Sequence, residues 1–588
     1  MNGLEQAIYE DLEFLYGEKE AKPTFEILKR SLARFRSQHP QLAKQPVTGR
    51  VSELDSILIA YGDMVSAPGQ APLFTLADFL QRHIANTISM IHILPFFPYS
   101  SDDGFSVIDY KVVDPKLGDW GHIHQINRHF RLMFDAVINH ISAESEWFKG
   151  FLNNDPKFRN FFTMVEPGTD LSQVFRPRTL PLLTPVQQTT AAGDPVEKLV
   201  WTTFSSDQID LNYRNPDLLL EIVDILLLYV AQSAQFIRLD AVAFLWKEIG
   251  TPSIHLPHTH RIIQLMRKVL DAVAPGVAII TETNVPHEEN VSYFGDGTNE
   301  AQMVYNFSLP PLTLNAFHTG NSETLSKWAD SLRLPSDQVT FFNFLASHDG
   351  IGITPAKGIL SPGAIADMGQ RTEALGGFVS YKTNLDGSTS PYELNINFMD
   401  ALADPAAKEE SRELIARRFL ASQAVMLALQ GVPGIYFHSL FGSRGWLEGV
   451  KQTGRSRTIN RQKLALSQIE YELKDPHSLR YAVFRGYHHL IEQRKSSPAF
   501  HPNGPQRVLF CHEGVFCLLR SSTDRFTHII CLHNVTSLSQ VVSLEIRHLP
   551  FTKETPLKDL ISQRPFKTTD SKLHITLEPY QVLWLEGN

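Results

Sequence analysis

The stretch AIITETN (278–284) begins with four residues that are apolar on both faces and then turns polar at Glu282. A strand half-exposed to water alternates polar and apolar side chains, whereas a parallel strand covered by helices is apolar on both sides. Seven more runs of this kind flank it: Ile57–Tyr61, Met90–Leu94, Leu132–Ile138, Phe236–Leu239, Met303–Phe307, Thr340–Leu345 and Val432–Phe437. Longer helical patterns separate them. Eight such runs predict an α/β fold of the (β/α)8 TIM-barrel type. About ninety residues separate the third and fourth runs, and a similar gap parts the seventh from the eighth, so inserted loop subdomains are expected over one face of the barrel.

Outward from the barrel the pattern changes twice. Leu4, Ile8, Leu12 and Leu15 share a helical face, as do Phe25, Leu28, Leu32 and Phe35 beyond Pro23. Residues 1–50 therefore read as an N-terminal helical extension, broken at the proline, that packs on the main domain. The catalytic barrel is assigned 51–504, with insertions at 141–205 and 350–410. From about 505 short alternating strands take over, at Arg507–Phe510, Val515–Arg520, His528–His533, Val541–Glu545, Lys572–Leu577 and Val582–Leu585. They predict a small C-terminal antiparallel β domain over 505–588.

At 588 residues the chain exceeds what one hydrophobic core organises. A net charge of −9 without clustered Lys and Arg argues against a nucleic-acid partner. The longest apolar stretches, Ile222–Ala231 and Phe419–Leu429, are too short to cross a bilayer. The opening MNGLEQAIYEDLEFL is acidic and helical, unlike a secretory signal. Three cysteines, Cys511, Cys517 and Cys531, point to a reducing compartment and buried free thiols. The expectation is a cytoplasmic enzyme, monomeric or homodimeric, acting on small molecules without a membrane partner.

In a barrel of this kind chemistry gathers at the C-terminal strand ends. The third run closes Asp135-Ala-Val-Ile-Asn139-His140, the fourth Arg238-Leu-Asp240, the fifth on Glu282 and the seventh Ser347-His348-Asp349. Carboxylates at the ends of the fourth, fifth and seventh strands converge on one pocket, and burying so much charge is costly unless it is used. Two carboxylates suffice for retaining glycosidic chemistry, one attacking the anomeric carbon and the other exchanging a proton with leaving group and acceptor. Asp240 is the expected nucleophile, kept ionised by Arg238 on the same side of the strand. Glu282 is the expected acid/base with a raised pKa, and Asp349 the stabiliser of an oxocarbenium-like transition state.

At these residues the chain resembles glycoside hydrolase family 13, the α-amylase family, through DAVINH (135–140), RLDAV (238–242), ITETN (280–284) and ASHDG (346–350). It resembles the sucrose phosphorylase subfamily through LPFFPYSSDDGFSVIDY (94–110), FRPR (175–178), LVWTTFSSDQIDLNY (199–213), PYELN (391–395) and RTINR (457–461). The resemblance implies a glucosyl pocket in which Asp102, His140, Arg238, His348 and Arg457 meet the sugar hydroxyls. Phe105 and Phe204 would supply apolar platforms, and Arg176 and Arg178 would meet phosphate. Asn139 stands where some amylases bind calcium. Members of this subfamily generally lack it, so neither metal nor cofactor is expected.

Sucrose phosphorylases read E-V-H and Y-Q-V-N where this chain has Glu282-Thr283-Asn284 and Tyr392-Glu393-Leu394-Asn395. These departures border the acceptor side. With the N-terminal helical segment, LPLLTPVQ (180–187) and FLWKEIGT (244–251), they resemble the glucosylglycerate phosphorylases of the same subfamily. That resemblance implies reversible phosphorolysis of 2-O-α-D-glucosyl-D-glycerate to α-D-glucose 1-phosphate and D-glycerate. The alternatives are sucrose, sucrose 6′-phosphate or glucosylglycerol phosphorylase, or an α-glucosidase. Glycerate and phosphate are both anions, so Arg176, Arg178 and Lys247 are the expected acceptor-side cations. Asn284, Tyr392 and Glu393 would complete that wall, with Glu393 paired to one of those cations or to a sugar hydroxyl. A mobile loop at Gly376–Ser390 is expected to exclude water.

Overall fold

The computed structural model describes residues 3–47, 49–384, 387–407, 409–551, 556–568 and 572–587. Its centre is a closed barrel of eight parallel strands: β1 Ile57–Ala60, β2 Met90–Ile93, β3 Arg131–Ala136, β4 Ala234–Leu239, β5 Ala278–Thr281, β6 Met303–Tyr305, β7 Thr340–Phe344 and β8 Val432–Tyr436. The ring closes where β1 pairs with both β8 and β2. Each apolar run of the sequence is one of these strands, because only strands covered on both faces tolerate such composition. Across β3 and β4 the register sets Arg238 beside Asp135, so two opposite charges meet inside the barrel.

Helix α1 (Gly3–Gln38) lies against α2 (Pro216–Ala231) and α3 (Pro257–Val273) on the barrel's outer face. Its buried stripe is Ile8, Leu12, Leu15, Phe25, Leu28, Leu32 and Phe35. Asp11 on that stripe is fully buried and held by Arg261 at 2.9 Å and Lys268 at 2.5 Å, both from α3. The helical path is interrupted at Gly17 (φ 74°, ψ 162°) and not at Pro23. Only glycine adopts that conformation cheaply, whereas a proline near the start of the resumed helix removes a single backbone donor.

Two excursions rise over the C-terminal end of the barrel. The first carries the helix Glu146–Leu152 and the hairpin Leu183–Thr189/Pro195–Trp201. The second carries the helix Pro362–Ala374 and the hairpin Phe378–Thr383/Thr389–Asn395, which also pairs with Ile351–Gly352. The segment 376–390, expected as a mobile loop, is thus largely hairpin strand, since Val379–Thr383 finds a full ladder of partners on 389–394; its residues Leu385 and Asp386 lie outside the described residues. Beyond 505 a six-stranded sheet and a two-stranded ribbon, Gln540–Glu545 with Lys572–Leu577, enclose an apolar core of their own.

Candidate active site

Beneath the carboxylates that line the cavity at the strand ends lies a single guanidinium. Arg238, buried on β4, hydrogen-bonds Asp135 and donates to Asp240 Oδ1 at 2.8 Å, while Glu282 Oε2 stands 3.9 Å from its other nitrogen. Asp135 also meets His92 Nε2 at 2.6 Å. The Phe105 and Tyr305 rings flank the guanidinium at 5.8 and 5.4 Å, which keeps water from it. Tyr305 and His92 gave no signal in the sequence, because neither closes a strand in a carboxylate motif.

One cation shared among three carboxylates cannot hold them all in the ordinary range. Burial raises Glu282 to about 7; Arg238 opposes this, while the charges of Asp240 and Asp349 add to it. Burial also raises Asp240, and Arg238 offsets only part of the effect because Asp135 takes much of its charge. Arg238 nonetheless donates to the Asp240 carboxylate from the same side of the strand and favours its ionised form, as the two-residue spacing had suggested. Asp349 goes the other way. Burial pushes it up, but Arg457 at 2.6 Å, Arg461 at 3.3 Å and the more distant Arg178 hold it well below the usual carboxylate range. The three carboxyls therefore occupy different environments, the arrangement in which one group carries a proton while another stays charged.

The loops at the rim are strained. Asp102 (φ 53°), Asp103 (φ 51°) and Ala241 (φ 49°) all occupy the left-handed region disfavoured for residues with a side chain. Ala241 directly follows Asp240 and donates its N–H to Glu282 Oε2 at 3.1 Å. Gly104 packs so tightly that a Cβ there would lie 2.7 Å from the Pro95 carbonyl oxygen.

Around the three carboxyls stand the residues expected to face the sugar. Phe105 stacks on His348 at 4.6 Å with the planes 5° apart. Burial pushes His348 down to about 3, so its imidazole is neutral, and its Nδ1 has no hydrogen-bond partner among the described residues. His140 lies 2.9 Å from the Phe105 carbonyl oxygen through Nε2 and 5.3 Å from the Phe204 ring. Asp102 reaches the cavity from the β2 side and is held by Arg461 at 3.2 Å. Arg461 also bonds Asp103 at 2.6 Å and donates to the His348 carbonyl at 2.9 Å. Sequence reasoning singled out Arg457 and passed over Arg461, although it is the second arginine of RTINR. Gln208, which bonds the Phe105 carbonyl at 3.1 Å and lines the cavity, was passed over too.

On the opposite side, Asn284, Tyr392, Glu393 and Arg178 line the cavity. Glu393 is paired, though not with Arg176, Arg178 or Lys247. It accepts both arms of Arg457, at 2.9 and 2.5 Å, and so leaves Arg178 without an ion-paired carboxylate among the described residues. The Arg178 guanidinium stands over Tyr392 at 5.4 Å and Phe204 at 6.0 Å. Asn284 rests on Gly352, where a Cβ would come within 2.6 Å of its Oδ1.

Two expected acceptor cations are not brought to the cavity. Arg176 turns back on its own loop and donates to the Leu180 carbonyl at 2.5 Å. Lys247 lies beneath the first excursion, where its Nζ donates to Asn139 Oδ1 at 2.8 Å and pairs with Asp210 Oδ2 at 2.8 Å. Asp210 is fully buried and needs a cation there. The chain's own ammonium thus fills the position beside Asn139.

Comparison with known proteins gives the same picture at the level of the whole chain. The family model for the α-amylase catalytic domain matches residues 85–352. A glucosylglycerate phosphorylase of Spirochaeta thermophila is 49% identical, over 98% of this chain and 97% of its own length. One of Allomeiothermus silvanus is 48% identical over 99% and 98%. Among solved structures, a sucrose 6F-phosphate phosphorylase from Thermoanaerobacter thermosaccharolyticum aligns with a TM-score of 0.70 at 24% identity, covering 82% of this chain and 94% of that one, which shows the shared fold. With a closed eight-stranded barrel and relatives 48–49% identical over nearly its whole length, the chain belongs to the α-amylase family.

Proposed function

We propose that the protein is a retaining glycoside phosphorylase that converts 2-O-α-D-glucosyl-D-glycerate and phosphate reversibly into α-D-glucose 1-phosphate and D-glycerate. The observation that carries this reading is the 48–49% identity with glucosylglycerate phosphorylases over 98–99% of the chain. The geometry supplies the steps. Asp240 and Glu282 share one guanidinium, which favours the short separation, roughly 5 Å, of retaining carboxylate pairs. Asp240 attacks the anomeric carbon as protonated Glu282 gives its proton to the departing glycerate oxygen. Glu282, now ionised, takes the proton of the incoming phosphate as a phosphate oxygen displaces Asp240. Two inversions give net retention.

Asp349, held ionised by Arg457 and Arg461, stabilises positive charge developing on the sugar ring. Asp102, His140, His348 and Arg457 bind the glucosyl hydroxyls between the Phe105 and Phe204 rings. Arg178, whose guanidinium has no carboxylate in ion-pair contact among the described residues, meets the anionic partner on the acceptor side. We place the enzyme in the cytoplasm, a reading supported by three unpaired cysteines.

Incubation with phosphate and a panel of α-glucosides tests the reading. Glucosylglycerate is expected to yield glucose 1-phosphate, and sucrose or glucosylglycerol little. Release of free glucose at the same rate without phosphate would refute phosphorolysis. Sucrose outpacing glucosylglycerate would refute the specificity.

A further inference from the structure

The hairpin strand Phe378–Thr383 forms the edge of its small sheet, and the one residue of it that is buried is a lysine. Lys382 is only 7% exposed. Burying an ammonium is costly unless a carboxylate or a set of acceptors compensates it. Among the described residues its Nζ has neither an ion pair nor a hydrogen bond. Its close contact is the face of the Phe175 ring, 4.7 Å from Nζ to the centroid. Glu289 is the carboxylate whose field it feels, and that group is half exposed and outside ion-pair contact with it.

A second cation aggravates the imbalance. Lys357 Nζ donates to Ser390 Oγ at 3.3 Å, and Ser390 is the residue opposite Lys382 in the hairpin ladder. Burial, with the Lys357 charge, pulls the Lys382 ammonium down to about 8 against the attraction of Glu289. Lys382 sits behind the lining of the cavity, and its neighbours reach it. Phe175 lines the cavity with Arg178, and Ser380 and Tyr381, on the same strand as Lys382, line the vestibule opening from it. Tyr392 and Glu393 of the cavity wall belong to the partner strand.

From this placement we infer that Lys382, backed by Lys357, is an anion seat on the acceptor side of the cavity and a specificity-determining residue for the charged acceptor. The inference rests on the proposed function, which requires that side to hold small anions. The chemistry recognised is the oxygen atoms of a small anion, and the reaction offers two sources, the glycerate carboxylate and phosphate. A cation without a carboxylate in contact at such a corner discriminates against neutral acceptors of similar shape, because a charged ligand satisfies it more fully than an uncharged one.

The test uses the full-length enzyme with Lys382→Met and Lys382→Arg. In the synthetic direction, with glucose 1-phosphate as donor, KM is measured for glycerate and for glycerol, its uncharged analogue. In the phosphorolytic direction KM is measured for phosphate. A carboxylate seat is expected to raise the glycerate KM about tenfold or more in Lys382→Met and to leave the glycerol and phosphate values within about twofold. A phosphate seat raises the phosphate KM instead. Lys382→Arg, which keeps the charge, is expected to recover most of the loss. Unchanged KM for both anions in Lys382→Met, or equal losses for glycerate and glycerol, overturns the proposal. A fold defect is recognised by a lowered melting temperature shared by both variants, and the ratio of glycerate to glycerol KM still decides. Failure of the wild type to turn over glucosylglycerate sinks the functional reading itself. An active wild type with an indifferent Lys382→Met sinks the anion seat alone.

Discussion

Glu282 offers the sharpest test of how the cavity divides work among its carboxyls. With Glu282 at about 7, roughly half of the free enzyme carries the proton at pH 7, and each further unit of pH removes about tenfold of the protonated form. Only that form can protonate a departing glycerate, so kcat/KM for glucosylglycerate should fall with a slope near −1 above neutrality. Because the carboxyls interact, the midpoint belongs to the group of carboxyls rather than to Glu282 alone. Glu282→Gln removes the proton donor. The expected loss in kcat/KM is about 10²–10⁴, equivalent to roughly 3–5 kcal/mol of transition-state stabilisation. α-Glucosyl fluoride, whose leaving group needs no proton, should release fluoride in the first turnover of the variant at near the wild-type rate, with no alkaline limb near 7 in that step. The assay is initial-rate kinetics on glucosylglycerate and first-turnover fluoride release from α-glucosyl fluoride, both from pH 5 to 9. Equal damage to both substrates, or an alkaline limb in the ordinary Glu range near 4, would refute the reasoning.

Lys247→Met should leave the fully buried Asp210 without its cation and cost about 3–5 kcal/mol, read by chemical denaturation; the double variant with Asp210→Asn should regain much of that loss. Glu393→Gln breaks the bidentate grip on Arg457 and should cost about 2 kcal/mol in kcat/KM, with glycerate KM raised more than that of glucose 1-phosphate. An unaffected glycerate KM would detach Glu393 from the acceptor side. Gly17→Ala forces a side chain into a conformation reserved for glycine, and about 1–3 kcal/mol of stability should be lost, seen as a lower melting temperature with kinetics at 25 °C unchanged.

The eight barrel strands and the three carboxyls at their ends were legible in the sequence for one reason. A strand covered on both faces must be apolar throughout, and a polar residue at its C-terminal end must face the barrel mouth. Both conditions are local, and the barrel closure follows from counting them. The break in α1 was misplaced because Pro23 is the louder signal, while a glycine's φ is invisible until the helix is built. The pairing of charges was decided by the tertiary structure alone. Glu393 meets Arg457, 64 residues away, and Lys247 meets Asp210 and Asn139 beneath a loop instead of facing the acceptor. Lys382 drew no notice as one lysine in a polar hairpin until its burial over Phe175 was visible. Periodicity determines which residues a strand presents and in which direction. Which distant loop comes to rest over it, and therefore which charge is compensated and which left free for a ligand, is settled only when the excursions pack.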